Sequence, residues 1–264
     1  MTSDLSGRTT VITGAVGGLG FALTLAILQA GGDVVCLDLP LEPPREAWVA
    51  ITTWATKSNT VATYHHCDVT NEEEIKAVLE KSQQSAQERN HPIRGLIAGA
   101  GIQKMYDAME FPVDAFRKIH DINVTGSFLI AKHVARIMRD TGLGGSILLV
   151  ASIAGYVASR GVHGAAYCAS KAATHALCRS LATEWGTLGI RINSLSPGPI
   201  KTDLLDAMLE ETPSLNASFM ASNVLGPLGA PDDLQAAAIF FLGDGSSYVT
   251  GTDLLIDGGA CSST

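Results

Sequence analysis

The chain has 264 residues, of which 46% are hydrophobic and 17% charged, with a formal net charge of −8. That length and apolar content suit one large α/β domain with a sizeable core and exclude a disordered chain. The acidity, with no basic stripe anywhere, argues against a nucleic-acid or anionic-membrane partner.

Strand-like and helix-like segments alternate along the chain. Residues 9–12 form a short β run, followed by a glycine turn and a helix through Phe21 to Gln29. Residues 33–38 read as a second strand. Pro40, Pro43 and Pro44 then break the chain before a helix over 46–55. Residues 60–66 form a third strand. Thr70 or Asn71 caps the next helix, which opens with Glu72, Glu73 and Glu74. A fourth strand covers 95–98, and one long helix spans 113–139. The apolar run 146–150 reads as a strand covered on both faces. A helix over Ala165–Trp185, a strand over 190–195, a helix over 232–242 and a strand over 252–256 complete the chain. This rhythm predicts a single domain with a Rossmann-type, doubly wound parallel sheet. The stretch 197–228 stands out as long and irregular. Met208, Phe219 and Met220 lie there among polar residues, so it reads as a mobile substrate lid with short helices.

Glycines at 14, 18 and 20 sit directly between the first strand and its helix. Small residues let the backbone turn tightly and approach a pyrophosphate, which the helix N-terminus then receives. The spacing departs from G-x-G-x-x-G, but the place after the first strand is the right one. Asp38 ends the second strand, where a carboxylate accepts hydrogen bonds from an adenine ribose and repels a 2′-phosphate. No Arg or Lys lies between Gly14 and Gly20. Together these features favour NAD(H) over NADP(H).

Ser152 follows the strand 146–150, at the carboxyl end where open α/β sheets bind ligands. Tyr167 and Lys171 are four residues apart, hence one turn apart on a single helix face. An ammonium about 4 Å from a phenol, at an effective dielectric near 20, contributes roughly 4 kcal/mol, or about three pKa units. That predicts a phenol titrating near working pH as a general acid–base. Asn123, alone a helix-bending or interhelical residue, joins the ordered set Asn, Ser, Tyr, Lys.

With these motifs the chain resembles the short-chain dehydrogenase/reductase family in its compact form, from about residue 7 to 259. The resemblance rests on Thr13-Gly14-x-x-x-Gly18-Leu19-Gly20, Asp68-Val69, Asn123, Ser152, Tyr167-x-x-x-Lys171, Pro197-Gly198 with Ile200 and Thr202, and Ile256-Asp257-Gly258-Gly259. It implies strand order 3-2-1-4-5-6-7, with a nicotinamide dinucleotide at the switch point. It implies that Tyr167 is the acid–base, that Lys171 holds the nicotinamide ribose and lowers the phenol pKa, and that Ser152 hydrogen-bonds the substrate oxygen. Asn123 would hold a water linking Lys171 to solvent. Asp68 and Val69 would sit by the adenine, with Ile200 and Thr202 at the nicotinamide amide. Where the family usually has Asn-Asn-Ala-Gly, this chain has Ala98-Gly99-Ala100-Gly101. The backbone bonds which those amides support therefore need another source, while Gly99 and Gly101 still permit close approach to the cofactor.

Residues 97–103 and 188–193 are similar to fungal polyol and sugar-alcohol members of that family. A polyol or ketose is the expected substrate, with a ketone on a larger secondary metabolite as the runner-up. Gln103, Ser159, His163, Met208 and Phe219 are candidate substrate neighbours. A dinucleotide-sensing protein without turnover is the reading from another class, and retention of both Tyr167 and Lys171 speaks against it. Family members are commonly tetramers that pair the helices 113–139 and Ala165–Trp185. Cys36, Cys67, Cys168, Cys178 and Cys261 show no C-x-x-C pair and read as reduced thiols of a cytoplasmic protein. Met1-Thr2-Ser3-Asp4 has no basic signal-peptide start, and no apolar run is long enough to span a membrane. His65 and His66 are adjacent on a strand, so they face opposite ways and no metal site is expected.

Overall fold

A computed structural model describes residues 4–159 and 161–262. Seven parallel strands form one sheet in the order β3-β2-β1-β4-β5-β6-β7. They are β1 (Thr9–Thr13), β2 (Asp33–Asp38), β3 (Ala62–His66), β4 (Ile93–Ala98), β5 (Gly145–Val150), β6 (Ile190–Pro197) and β7 (Asp253–Ile256). The apolar runs of the central strands are continuous because both sheet faces are covered. Successive side chains point to opposite faces. Val11, Leu96, Ile147 and Leu149 accordingly enter one core, and Ile12, Ile97 and Leu148 the other.

The first core packs against α3 (Glu72–Glu88), α5 (Ser127–Thr141) and α6 (Ala165–Trp185). The second packs against α1 (Gly18–Gln29), α2 (Arg45–Lys57) and α9 (Gln235–Leu242). Asn71 is the cap of α3. Its side chain accepts from the Glu73 and Glu74 N–H groups, and its amide donates to the Glu74 carboxylate at 2.8 Å. The Pro231–Leu234 segment preceding α9 is a 3-10 turn, so the last long helix starts later than its sequence pattern suggests.

The expected long helix over 113–139 is interrupted. α4 (Val113–His120) and α5 are joined by a π-helical stretch, Asp121–Gly126. Asn123 lies within it, buried, with its side chain committed to neighbours outside the helix. Gly126 has no room for a side chain, because a Cβ there would fall 2.7 Å from Val69 Cγ2. The Ser127 hydroxyl donates to the Asn123 carbonyl at 2.8 Å. Apolar periodicity carries no mark of such a widened turn.

The stretch 197–228 contains α7 (Asp203–Glu211) and α8 (Ser214–Ser222). Leu205, Leu215 and Phe219 form a small separate core, with Met105, Val162 and Met208 packed on it. Among the described residues, no helix is long and apolar enough to cross a membrane.

Candidate active site

The register aligns the carboxyl ends of the central strands, with Thr13 beside both Leu37 and Ala98, and Ala98 beside Leu149. β1 lies between β2 and β4, so the chain crosses over there and leaves a crevice at the carboxyl edge. The glycine turn lies in this crevice. Gly14 is in the left-handed region at φ +68, and a Cβ on Gly20 would fall 1.9 Å from the Gly14 carbonyl oxygen. Only glycine therefore lets the turn close on the start of α1. The N-cap residue Gly17 brings no side chain to the helix end, and the first amide with a backbone partner is Phe21, bonded to the Gly17 carbonyl. The amides of Gly18, Leu19 and Gly20 are the free donors of a helix start, and they suit a pyrophosphate.

Asp38 approaches the same turn. Its Oδ2 accepts from the Val16 N–H at 3.1 Å and its Oδ1 from the Leu39 N–H at 2.8 Å. A carboxylate retains further lone pairs after those two bonds. Asp68 Oδ1 accepts from both the amide and the hydroxyl of Thr70. Val69 is buried against the Gly126 backbone.

Thr13 holds the backbone just after Ala98, where this chain has no amide side chains. Its hydroxyl oxygen accepts from the Gly99 and Ala100 N–H groups, each at 3.1 Å. A Cβ on Gly99 would lie 2.8 Å from the Thr13 carbonyl, so the two segments run closer than a side chain would allow. Sequence reasoning missed this role, although a hydroxyl residue ending β1 was its signal.

Three of the catalytic candidates, Ser152, Tyr167 and Lys171, converge on one cleft of about 1090 Å³, open to solvent, while Asn123 lies outside its lining. Ser152, Tyr167, Lys171, Leu19, Gly101 and Thr202 are among its walls. Ser152 caps the Ile153–Gly155 turn, with its hydroxyl accepting from the Ala154 N–H at 3.1 Å. Asn123 accepts from the Ile102 N–H at 2.9 Å and donates to the Ile102 carbonyl and the Ser170 hydroxyl, both at 3.0 Å. Ser170 in turn donates to the Tyr167 carbonyl at 2.8 Å. Ser170 was not singled out in the sequence, yet it ties the π-turn to the helix carrying Tyr167. A point beside Gly101 lies 3.3 Å from Asn123 Oδ1 and 3.7 Å from Lys171 Nζ, so the two groups are neighbours there, although Asn123 itself is buried behind the cleft lining.

Lys171 is 6% exposed, and its ammonium donates to the Val150 carbonyl at 2.7 Å. Burial pushes its pKa down to about 8. Its nitrogen stands 5.5 Å from the centre of the Tyr167 ring. The expected acidification of the phenol is absent in this state. Burial pushes Tyr167 up to about 12, and the Ser152 hydroxyl pulls it only part of the way back. Desolvation disfavours phenolate and ammonium alike, and the ammonium is engaged by a backbone carbonyl. The phenol is thus a neutral donor at neutral pH.

Pro197, Gly198 and Ile200 enter the cleft from β6 and the chain beyond it. Gly198 passes so close to β7 that a Cβ would sit 2.6 Å from Asp257 Cα. Thr202 caps α7 through the Leu205 N–H at 3.4 Å, and its methyl lies 3.6 Å from the Gly18 Cβ position. Gln103, Ser159, Met208 and Phe219 line the outer part of the cleft, together with Val157, Val162, Leu204 and Leu205. Gln103 reaches the Met208 sulfur at 3.1 Å. His163 differs from expectation. It is exposed, stands 4.0 Å from Asp107, and is absent from the cleft wall.

Residues 14–261 match the family described as Enoyl-(Acyl carrier protein) reductase. The chain is 45% identical over 262 residues to a short chain dehydrogenases/reductase, notP', of Aspergillus versicolor, covering 98% of this chain and 88% of that protein. It is 34% identical over 260 residues to sorbose reductase sou1 of Schizosaccharomyces pombe, covering 98% of both. A short-chain type dehydrogenase/reductase of Mycobacterium marinum superposes with a TM-score of 0.88 at 34% identity, covering 98% of this chain and 97% of that one. The glycine turn, the Ser152–Tyr167–Lys171 cleft and these similarities together establish that the chain belongs to the short-chain dehydrogenase/reductase family and is an NAD(P)-dependent oxidoreductase of secondary alcohols and their ketones.

Proposed function

We propose that the protein interconverts a polyol and its ketose, using NAD(H) in preference to NADP(H), with Tyr167 as the proton-transferring group. The observation that carries this reading is the meeting of Tyr167, Ser152 and Lys171 in the cleft that also receives Leu19 of the glycine turn. When bound, the nicotinamide supplies or takes the hydride. Tyr167, neutral in its buried setting, gives its phenolic proton to the carbonyl oxygen during reduction and, once deprotonated, takes the hydroxyl proton as the phenolate during oxidation. Ser152 holds that oxygen as the charge on it grows. Lys171 holds the nicotinamide ribose, and its buried cation steadies the phenolate left after proton donation. Asn123, close to Lys171 beside Gly101, would keep a water that returns the proton. Gly14, Gly18 and Gly20 form the pyrophosphate cradle, with the Leu19 amide among its donors. Ala100 and Gly101 border the nicotinamide side, Asp68 and Val69 the adenine. Pro197, Gly198, Ile200 and Thr202 close over the nicotinamide.

Asp38 supports the coenzyme preference. From Leu39 to Pro44 the chain also carries no Lys or Arg, while Glu42 adds a second acid. A 2′-phosphate would meet the Asp38 carboxylate there, with Arg45 the first cation further along the chain. The similarity to a sorbose reductase supports the substrate class. A second reading, a secondary alcohol on a largely apolar frame, is favoured by one observation. Among the described residues, the cleft lining includes Val157, Val162, Leu204, Leu205, Met208 and Phe219, with Gln103 and Ser159 as polar neighbours. α7 and α8 would cover either substrate as a lid. The exposed aromatic rings of Phe116 and Phe128 support a homo-oligomer that buries α4 and α5.

A panel of polyols, ketoses and cyclic ketones, run with both coenzymes and followed by NADH absorbance, tests these readings. A higher kcat/KM for polyols with NAD supports the first. A preference for cyclic ketones moves the assignment to the second, and coenzyme binding without turnover across the panel would refute both.

A further inference from the structure

At the opposite, amino-terminal edge of the sheet lies a second concavity, of about 800 Å³, which none of the catalytic groups enters. Three guanidinium groups line it, those of Arg8, Arg94 and Arg191, with one carboxylate, Asp244. Arg8 precedes β1, Arg94 sits in β4 and Arg191 in β6, so three separate strands aim their cations at one place. Asp244 is already used. It accepts from Arg8 Nη1 at 3.0 Å and Nη2 at 2.9 Å, the paired geometry of an arginine fork.

Arg191 has no acid partner. Its guanidinium donates to the Phe241, Gly243 and Val249 carbonyls at 2.8, 3.1 and 3.4 Å. Arg94 has less still, since its Nε is buried and bonded to nothing. Three cations against one anion leave an excess of two positive charges on the walls of this hollow, Asp4 outside it adding only a weaker attraction for Arg8, in a chain whose net charge is −8. Burial holds the pKa of Arg191 below its usual value, the nearby Asp244 carboxylate opposes that shift, and Arg8 and Arg94 add smaller pushes downward. A buried N–H without an acceptor costs free energy until an acceptor arrives. Planar guanidinium forks match tetrahedral oxyanions in both charge and shape.

We propose that this hollow binds a dianionic phosphate group, either free phosphate or the terminal phosphoryl of a small metabolite, with Arg94 as the principal ligand. Two negative charges balance the excess of two positive charges, and the phosphate oxygens give Arg94 the acceptors it lacks. The site stands apart from the coenzyme crevice, at the other end of the same strands.

The test is calorimetric titration of inorganic phosphate, and separately of glycerol phosphate, into the protein saturated with NADH. Saturable binding near one per chain is expected, weakened about tenfold or more in Arg94→Met, as loss of a charge-assisted pair implies. Tighter binding of glycerol phosphate than of phosphate would identify the ligand as a phosphorylated metabolite, and the reverse order as the free ion. Absence of binding, or equal affinity in wild type and Arg94→Met, overturns the proposal. So does competition between phosphate and NADH, because it would place the anion at the glycine turn. Retained NADH binding by the variant shows that it is folded. If Arg94→Met does not fold, Arg94→Gln serves in its place, and there an unchanged affinity is equally fatal.

Discussion

The coenzyme crevice and the catalytic wall share one edge of the sheet but are made of different things. The crevice is built from the main chain: a left-handed Gly14, a bare α1 N-terminus and close approaches at Gly20 and Gly99. The wall beside it is built from side chains whose chemistry depends on being dry, with Lys171 pushed down to about 8 and Tyr167 up to about 12. Backbone sites bind through geometry and fail when the path of the chain changes. Side-chain sites fail when one functional atom is removed, with the fold intact. Single substitutions should therefore separate the two kinds of failure.

The largest effect is expected for Tyr167→Phe, which removes one oxygen and little else. Turnover should fall about 10²–10⁴-fold, while NADH affinity, read by fluorescence titration, stays near the wild-type value. Loss of NADH binding in this variant would merge the two regions that the comparison keeps apart. The same phenol sets the pH dependence. Its raised pKa keeps it protonated through neutrality, so initial reduction rates should be level there and decline at high pH. Oxidation needs the proton gone, so its rate should climb with pH, and a falling oxidation profile would contradict the assignment.

Gly20→Ala probes the backbone side. The added Cβ would meet the Gly14 carbonyl at 1.9 Å, so the turn must open. Overpacking of this kind costs about 1–3 kcal/mol. It should lower the melting temperature and weaken NADH binding together, while Tyr167 keeps its raised pKa. A smaller effect belongs to Asp38→Ala. The NAD-over-NADP ratio of kcat/KM should narrow about tenfold, the worth of a charge-assisted hydrogen bond. An unchanged ratio removes Asp38 as the selector. The smallest effect is expected for Glu72→Gln, at the start of α3 and outside the lining of the catalytic cleft. Hydrogen bonds from Lys132 and His133 hold this carboxyl down at about 2. A lowered carboxyl pKa stabilises the fold above its unfolded value near 4.5 and loses that contribution as pH falls towards 2. Melting curves of wild type and variant should differ slightly at neutral pH and converge in acid.

Much of this architecture could be read from residues alone, for identifiable reasons. The strands announce themselves because both faces are covered, so Val11-Ile12 and Leu148-Leu149 are apolar without alternation. The turn is legible because only glycine closes it. What the sequence hid depends on space rather than pattern. The π-turn at Asn123 arises from contacts with Ile102, Ser170 and Val69, all distant in the chain. Helical spacing measures proximity to Lys171 but not dehydration, which pushes the Tyr167 phenol up rather than down. His163, a candidate substrate neighbour, lies exposed outside the cleft lining, because which way a loop turns is not written in its residues. Thr13 escaped notice because its two acceptor bonds reach Gly99 and Ala100 across the sheet.

The widened turn between α4 and α5 has a mechanical corollary. A stretch of that kind holds one residue more than a regular helix would, so α4 and α5 are out of phase by roughly 100°, the rotation of one residue. Excising a single residue there would restore an unbroken rod. Asn123 would then swing away from Lys171, and the outward rings of α4 would revolve to a new bearing. One deletion would thus disturb both proton supply and any contact between copies of the chain.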